Sequence, residues 1–499
     1  MALISPKDKV NAEHCGKSHI CGLKVLIMGL GLHGGGMESA RYLAARGAEV
    51  TITDLRDEKI LSPSIERLKE FPIRYVLGRH EMDDFKNADV VIKNPGVRLD
   101  SPYLKAAKKI ETDISLFLSA CPARILAVTG TKGKSSASSA LYHVLKEAAV
   151  SQGLRGKPWL GGNIAHSPLK FLDDINTQDT VVLELSSWQL GDIRGRKLLK
   201  PRAAVITPIM RDHLDRYGTM EAYVADKRLI YADQNVKDVT IAADDDWGSS
   251  FRQESRGRPL VYSHKPLSDD TPGGWIPGPD APGFARLWEI PIGNEVSNGN
   301  FVSESKCKPN SIVEVVPQHL LVPGFHQKQN LLAAALALLD LGLKPDYIRE
   351  SLGRFPGVEH RLEFFHESYG IKFYNDSAAT IPEAAAAAIA AFEKPPILVT
   401  GGTDKELDFN PLARAAVKTK AIVLLKGTGT EKLQSLLDGE GVKYQGPFIS
   451  LEAATNAALN TADAGDMVIF SPGCTSFGMF LNEFDRGHKW KEEVRKLAP

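Results

Sequence analysis

The chain has 499 residues, with 61 basic and 61 acidic side chains and a formal net charge of zero. That length exceeds one ordinary hydrophobic core and implies roughly two to four domains. The charge balance excludes broad electrostatic binding to nucleic acid or an anionic membrane, though not a local basic pocket for phosphates.

Residues 1 to 20 are polar and read as a loose extension without a signal-peptide core, and no later stretch has the length and apolarity of a membrane span. The five cysteines (Cys15, Cys21, Cys121, Cys307, Cys474) are scattered, odd in number and without metal-ligand spacing, which fits free thiols in a reducing compartment. A cytoplasmic location is expected, with no nucleic-acid or membrane partner.

Lys24–Met28 predicts a buried strand running into Gly29-Leu30-Gly31-Leu32-His33-Gly34, then a helix with apolar positions at Met37, Ala40, Leu43 and Ala44. Val50–Asp54 predicts a second strand. This βαβ unit carries the Gly-x-Gly-x-x-Gly fingerprint with an acidic residue about twenty positions on. The same turn serves dinucleotides and other nucleotide diphosphates, so an NAD-dependent oxidoreductase remains one reading. Ala88–Lys93 predicts a strand leading to Asn94-Pro95-Gly96-Val97, and Ser101–Lys109 a helix. A composition break at Cys121-Pro122 opens a second unit.

In that unit an apolar run, Ile125–Val128, ends in Thr129-Gly130-Thr131-Lys132-Gly133-Lys134-Ser135-Ser136, with a helical pattern from Ala137 to Leu145. A strand, a glycine loop, Lys-Ser and a helix form a phosphate cradle: backbone N–H groups and a helix N-terminus face the anion, Lys134 adds charge and Ser135 can reach Mg²⁺. The spacing is Gly-x-x-Gly-Lys-Ser, shorter than the general nucleotide loop. The competing reading is a plain glycine turn.

Gly161–Ile164 reads as a glycine turn. Thr180–Leu185 and Ala203–Thr207 read as strands whose ends carry Glu184, Thr207 and then His213, and a helix from Met220 to Ala232 carries Lys227. Ligands bind at strand ends of parallel sheets, so these residues converge with the loop. From about 247 to 320 the composition turns irregular. Leu287–Ile292 and Ile312–Val316 are candidate antiparallel rim strands, and Asp244–Asp246 reads as a solvated loop. His326–Leu341 is a strongly apolar helix.

A hinge near Gly353–Gly357 begins a third unit. Phe373-Tyr374 ends a strand, Asn375–Thr380 is a turn, and Thr380 is placed to cap a helix with Pro382 in its first turn. Ile397–Thr400, Ala421–Leu425 and Met467–Phe470 complete the alternation of an α/β unit.

An ATP loop with a carboxylate, a histidine and a lysine nearby serves phosphoryl transfer or activation of an acid as an acyl phosphate. On these ordered pieces the sequence resembles the Mur ligase family. They are Gly29-Leu30-Gly31 with Asp54; Lys93–Val97; Thr129–Ser135; Gly162-Asn163-Ile164; Glu184–Leu190; Asp212–Asp215; Lys227; His360-Arg361; Asn375-Asp376-Ser377; and Ser471-Pro472 through Arg486-Gly487. Within it, the closest likeness is to the members that add D-glutamate to UDP-N-acetylmuramoyl-L-alanine for peptidoglycan precursor synthesis.

The resemblance implies an α/β fold of three domains: Rossmann-like UDP-binding at 21–119 after an extension at 1–20, P-loop ATPase-like at 120–355 with the irregular insertion, and Rossmann-like amino-acid-binding at 356–499. It implies ATP and two Mg²⁺ as cofactors and a monomer. By resemblance, Gly29, Leu30, Gly31, Leu32, Asp54, Arg56, Asn94, Gly96 and Asn163 hold the UDP-sugar. Gly130, Thr131, Lys132, Gly133, Lys134, Ser135, Ser136, Gln327, Asn330, Arg361 and Asp376 hold ATP. Lys134, Glu184, His213 and Lys227 are catalytic. Ser135 and Glu184 hold one Mg²⁺; His213 and Lys227, as a carbamate, hold the other. Thr380, Lys405, Ser476 and Phe484 surround the glutamate. Without the resemblance, Lys227 reads as a helix-surface lysine.

Three departures stand out. Ala378 replaces the family's usual lysine, His326-Gln327 replaces the usual His-Asn, and Phe484 falls one place later than the usual aromatic. Two of these cluster at the amino-acid pocket and raise the expectation that glutamate recognition is rebuilt, leaving the enantiomer open. The rival readings are a Mur ligase adding L-glutamate or another amino acid; a folylpolyglutamate synthase, which lacks the UDP-binding first domain; and a non-catalytic nucleotide-binding module, which predicts no substrate-dependent ADP release.

Overall fold

The computed structural model describes residues 19–31, 34–153, 155–164, 166–286, 311–476 and 479–499. Continuous apolar runs in the first unit form buried parallel strands: β1 Lys24–Met28, β2 Glu49–Asp54, β3 Arg74–Leu77, β4 Val90–Lys93 and β5 Ile110–Glu111, in the order β3-β2-β1-β4-β5. The order reverses between β1 and β4, so the Gly29–Gly31 turn and the Asn94–Gly96 turn sit side by side at the switch point. The Ser101–Lys109 helix is shorter than its pattern predicts, spanning Pro102–Lys105. The helices Glu58–Glu66 and Met82–Asn87, and strand β3 between them, carry no motif in the sequence.

The second sheet comprises β6 Arg124–Thr129, β7 Pro158–Gly162, β8 Thr180–Glu184, β9 Ala203–Ile206, β10 Val239–Ala243, β11 Arg258–Ser263, β12 Gly273–Trp275, β13 Gly283–Arg286 and β14 Ile312–Val316. Its order is β14-β13-β12-β11-β10-β9-β6-β8-β7. Strands β7 to β12 run parallel, and β13 and β14 add antiparallel to the edge. The expected irregular insertion is thus regular over most of its described length: helix Asp246–Glu254 and β11 continue the α/β alternation, and Asp245 caps that helix rather than lying in a free loop. Ile312–Val316 is a rim strand as expected, whereas Leu287–Ile292 lies outside the described residues. Gly161-Gly162 is not a turn but the end of β7, paired with Leu183 and Glu184.

The third sheet has the order β15-β16-β20-β17-β18-β19, from β15 Glu363–Ser368, β16 Ile371–Asn375, β17 Ile397–Thr400, β18 Ala421–Leu425, β19 Gln445–Phe448 and β20 Met467–Phe470. Only the β15–β16 pair is antiparallel. Thr380 does not cap the following helix, which begins at Pro382 with Ile381 in the cap position.

The chain packs as two compact units: one from the described parts of residues 1–277, 281–316 and 329–351, the other from 278–280, 317–328 and 352–499. The first holds the first two sheets. Among the described residues no helix is long and apolar enough to cross a membrane, and Cys21, Cys121 and Cys474 are free thiols.

Two glycines show how tightly helix Gly35–Ala44 follows β1. Gly34 caps helix Gly35–Ala44 in the left-handed region at φ 97°. Gly36 makes the close approach of helix to strand, since a Cβ there would stand 2.2 Å from the Gly29 carbonyl oxygen. Gly36→Ala is therefore expected to lower stability by about 1–3 kcal/mol through overpacking, seen as a lower midpoint in thermal or urea denaturation of the full chain. An unchanged midpoint would contradict this packing.

Candidate active site

The central cluster grows from three adjacent strand ends. Register places Val128 of β6 beside Glu184 of β8, and Thr129 beside Ile206 of β9. The Gly130 loop thus emerges between Glu184 and Thr207. Its glycines are demanded by space as well as by backbone: a Cβ on Gly130 (φ 143°) would lie 1.9 Å from Thr207 Oγ1, and one on Gly133 (φ 86°) 2.2 Å from Asn330 Oδ1. Asn330, on helix Phe325–Asp340, is buried against the loop. Gln327, in the first turn of that helix, is half-buried.

Helix Lys134–Ser151 starts directly after the loop, with Gly133 as its cap residue and no side-chain cap from that residue, so its N-terminal end faces the loop. Ser135 and Ser136 occupy its first turn and Lys132 is exposed on the loop.

Two ammonium groups share one oxygen. Lys134 Nζ lies 3.1 Å from the Gly130 carbonyl oxygen and 2.9 Å from that of Thr131, and Lys227 Nζ lies 2.7 Å from the Gly130 carbonyl oxygen. Lys227 is only 2 % exposed, contrary to its helix-surface reading. Its helix is shorter than the pattern predicts, Met220–Lys227 followed by a 3-10 turn. Burial first, and the Lys134 charge second, push the Lys227 amine down to about 7, against the pull of Asp212, Asp226 and Glu184. At neutral pH it is a nucleophilic amine for a large part of the time.

Glu184 is buried and accepts hydrogen bonds from Ser138 Oγ at 3.3 Å and Asn163 Nδ2 at 3.1 Å. Asn163, expected to touch the substrate or a phosphate, thus stands beside the Glu184 carboxylate. His213 adopts a left-handed backbone (φ 53°) and is exposed, its ring 5.0 Å from Trp188 and 6.2 Å from Tyr223. Lys227 Nζ lies 4.6 Å from the same Tyr223 ring, so Tyr223 brings the histidine and lysine to one neighbourhood. The Tyr223 hydroxyl also meets Thr131 Oγ1 at 3.0 Å. Ser138, Trp188 and Tyr223 were missed in the sequence; Ser138 follows Lys134 by four residues and so faces the same way on the helix, a usable signal.

A buried carboxylate with hydroxyls nearby is a hard-oxygen donor set that fits Mg²⁺. The Lys227 amine fits a cation only after it becomes an anion. Elsewhere, Glu359, His360 and His488 converge within ligand distance of one another. That group is not built for a metal. His360 Nδ1 is engaged by Asn375 Nδ2 at 2.9 Å and Ser377 Oγ at 3.1 Å, and the Lys491 ammonium already occupies Glu359 at 2.7 Å.

At the first sheet, Asp54 braces the glycine turn: its carboxylate accepts from the Gly31 N–H at 3.3 Å and the Arg56 N–H at 2.9 Å. Leu30 is buried, Arg56 exposed and Leu32 outside the described residues. Asn94 faces Gly29 and accepts from the Gly96 N–H at 3.1 Å.

In the third sheet, the turns after β16, β17 and β20 meet. Asp376 accepts from the Leu362 N–H at 3.0 Å and Ser471 Oγ at 2.6 Å, and burial lifts it to about 7. Arg361 is exposed beside it. Arg486 is 1 % exposed and ties two turns together, donating to the Ser377 carbonyl at 2.8 Å and the Cys474 carbonyl at 3.0 Å. Thr475 and Thr403 pair their backbones, which brings the loop of Ser476 beside that of Lys405. Ser476 is buried, Thr380 half-buried, Lys405 exposed, and the Phe484 ring sits 5.4 Å from His360.

The chain is similar to known proteins along nearly its whole length. Three family models match: the Mur ligase MurD-like N-terminal domain over residues 23–115, the Mur ligase middle domain over 128–338, and the Mur ligase glutamate ligase domain over 360–474. A UDP-N-acetylmuramoylalanine–D-glutamate ligase of Treponema pallidum (strain Nichols) is 39% identical, covering 95% of this chain and 98% of that protein. One of Roseiflexus sp. (strain RS-1) is 40% identical, covering 96% and 100%. Among solved structures, the UDP-N-acetylmuramate-alanine ligase MurC of Thermotoga maritima superposes with a TM-score of 0.55 at 20% identity, over 95% of this chain and 100% of that one, a likeness of fold. With three α/β sheets, a phosphate loop between Glu184 and Thr207, and these matches along nearly its whole length, the chain belongs to the Mur ligase family.

Proposed function

We propose that this chain is an ATP-dependent ligase joining D-glutamate to the alanyl carboxylate of UDP-N-acetylmuramoyl-L-alanine in peptidoglycan precursor synthesis. The observation that carries the reading is the pair of ammonium groups on the Gly130 carbonyl beside buried Glu184. A nicotinamide enzyme has no use for that cluster, and it lies in a phosphate loop. The names of the relatives supply the substrates. The reading divides the ligands among residues 21–119 for the UDP-sugar, 120–355 for ATP and 356–499 for the amino acid. It also takes the enzyme to be a cytoplasmic monomer.

In this scheme the Gly29–Gly31 and Asn94–Gly96 turns hold the UDP-sugar and direct its carboxylate to the loop. Lys134 and the loop N–H groups hold the β- and γ-phosphates in line with that carboxylate. A carboxylate oxygen bonds to the γ-phosphorus, the bond to ADP breaks, and an acyl phosphate forms. The glutamate amine then attacks the acyl carbon; the tetrahedral adduct expels inorganic phosphate and loses a proton, leaving the amide. Glu184 with Ser135, and His213 with carbamylated Lys227, would hold Mg²⁺, which when bound would supply charge neutralisation at the phosphates. Asn330 and Gln327, with Arg361 and Asp376, take the nucleotide. Thr380, Lys405, Ser476 and Phe484 take the glutamate.

ADP release, measured with ATP, Mg²⁺ and the UDP-sugar across a panel of amino acids, tests the reading. D-glutamate is expected to exceed L-glutamate by about a hundredfold or more in kcat/KM, the scale set by buried polar groups left unpaired by the wrong substrate. Equal use of both enantiomers would show that Ala378 marks a rebuilt pocket.

Lys227 gives a pH prediction. Carbon dioxide adds only to the neutral amine, which gives way to ammonium as pH falls through about 7. Activity in CO₂-depleted buffer is therefore expected to fall steeply towards about pH 6, to recover with added bicarbonate near neutrality, and to stay low at every pH in Lys227→Ala. Indifference to bicarbonate, with activity kept in Lys227→Ala, would contradict the carbamate.

A further inference from the structure

Lys93 and Arg216 have no part in the scheme above. We propose that Lys93, with its partner Asp192, is a positioning residue for the sugar-nucleotide: it fixes the Asn94–Val97 loop to the helix that follows Glu184, and Arg216 holds the same loop from the outer side. This rests on the ligase reading, since it takes that loop to be the one that receives the UDP-sugar.

Lys93 closes β4 and its side chain is fully buried, as is that of Asp192, the last residue of helix Ser187–Asp192. Their charged atoms lie 2.8 Å apart. An ammonium has three protons to give. Its hydrogen bonds go to the loop, through the carbonyl oxygens of Val97 at 2.8 Å, Asn94 at 3.2 Å and Pro95 at 3.5 Å. The loop is therefore wrapped around a charge that is anchored in the second sheet's layer.

Burial drives both members of the pair toward neutrality, Lys93 down and Asp192 up to about 6. Such a pair stabilises a fold no better than apolar residues of similar volume. What it supplies is geometry. The loop it shapes places Asn94 against Gly29, at the switch point of the first sheet.

Arg216 adds a second hold. Its guanidinium lies 4.3 Å from the Trp188 ring centroid, with Nη1 3.4 Å from the Gly96 carbonyl oxygen. Trp188 stands one helical turn before Asp192, and Arg216 three residues after His213. The sugar-nucleotide loop is thus tied to the two segments that present Glu184 and His213. A cavity of about 450 Å³ beside it, bounded in part by Arg98, Trp188, Asp192 and Arg216, gives the loop room to relax if either tie is lost.

The test uses the full chain and three variants: Lys93→Met, Lys93→Met/Asp192→Leu and Arg216→Ala. Melting temperature, kcat, and KM for UDP-N-acetylmuramoyl-L-alanine and for ATP are measured on each. Lys93→Met is expected to melt lower, because it leaves a buried carboxylate unpaired. The double variant removes that charge and is expected to recover the melting temperature. Its KM for the UDP-sugar is expected to stay about ten-fold or more above wild type, the scale of lost hydrogen bonds from a charged donor, with KM for ATP within about two-fold. Arg216→Ala, which buries no charge, is expected to raise the UDP-sugar KM about three-fold at an unchanged melting temperature.

A double variant with wild-type UDP-sugar KM, or a rise shared equally by ATP, would overturn the proposal. Should the double variant fail to fold, Arg216→Ala decides: an unchanged UDP-sugar KM counts against it. Wild-type enzyme inactive with this UDP-sugar would instead strike the ligase reading beneath.

Discussion

The structure depends on one crowded oxygen. The Gly130 carbonyl accepts from the ammonium groups of both Lys134 and Lys227 in a buried setting. Two cations held so close repel each other, and burial raises the cost further. The fold tolerates this only where anions are meant to arrive. Burial and the Lys134 charge push the Lys227 amine down to about 7. Lys134 stands at the start of a helix whose N-terminal end favours phosphate.

The sheets explain why such a cluster can be assembled from distant parts of the chain. Parallel strands end on one edge, and the loops that leave them meet there. In the second sheet β6, β8 and β9 deliver Gly130, Glu184 and Thr207 side by side. In the first, β1 and β4 deliver the glycine turn and the Asn94 turn. In the third, β16, β17 and β20 deliver Asp376, the Lys405 loop and Ser476, with Arg486 holding two of the three turns by their carbonyls. Buried polar groups tie the described parts of these turns to their neighbours, as Asp54 does Gly31 and Arg486 does Ser377 and Cys474.

Strand positions were legible in the sequence because buried parallel strands are apolar throughout, as Val25–Met28 and Val181–Leu183 show. The phosphate loop was legible because its glycines are forced by neighbours within 2.2 Å. The helix Glu58–Glu66 was hidden by Pro63 within it. The regular part of the expected insertion was hidden by a glycine-rich strand, Gly273–Trp275, whose bareness comes from close approach: a Cβ at Gly273 would stand 2.0 Å from the Val261 carbonyl oxygen. Burial of Lys227 was unreadable from its helix alone, because the Gly130 loop and Glu184 meet it from the ends of other strands. For the same reason the role of Lys93 appears only in three dimensions; its partner Asp192 lies almost a hundred residues away.

The central claim is that the Gly130 cluster activates a carboxylate by phosphorylating it. Transfer of label tests this most directly: the alanyl carboxylate of the UDP-sugar is enriched in ¹⁸O, and the inorganic phosphate released during turnover is analysed by mass spectrometry. The account predicts one ¹⁸O in each phosphate, because a carboxylate oxygen bonds to the γ-phosphorus and leaves with it. Unlabelled phosphate accompanying amide formation would contradict the account.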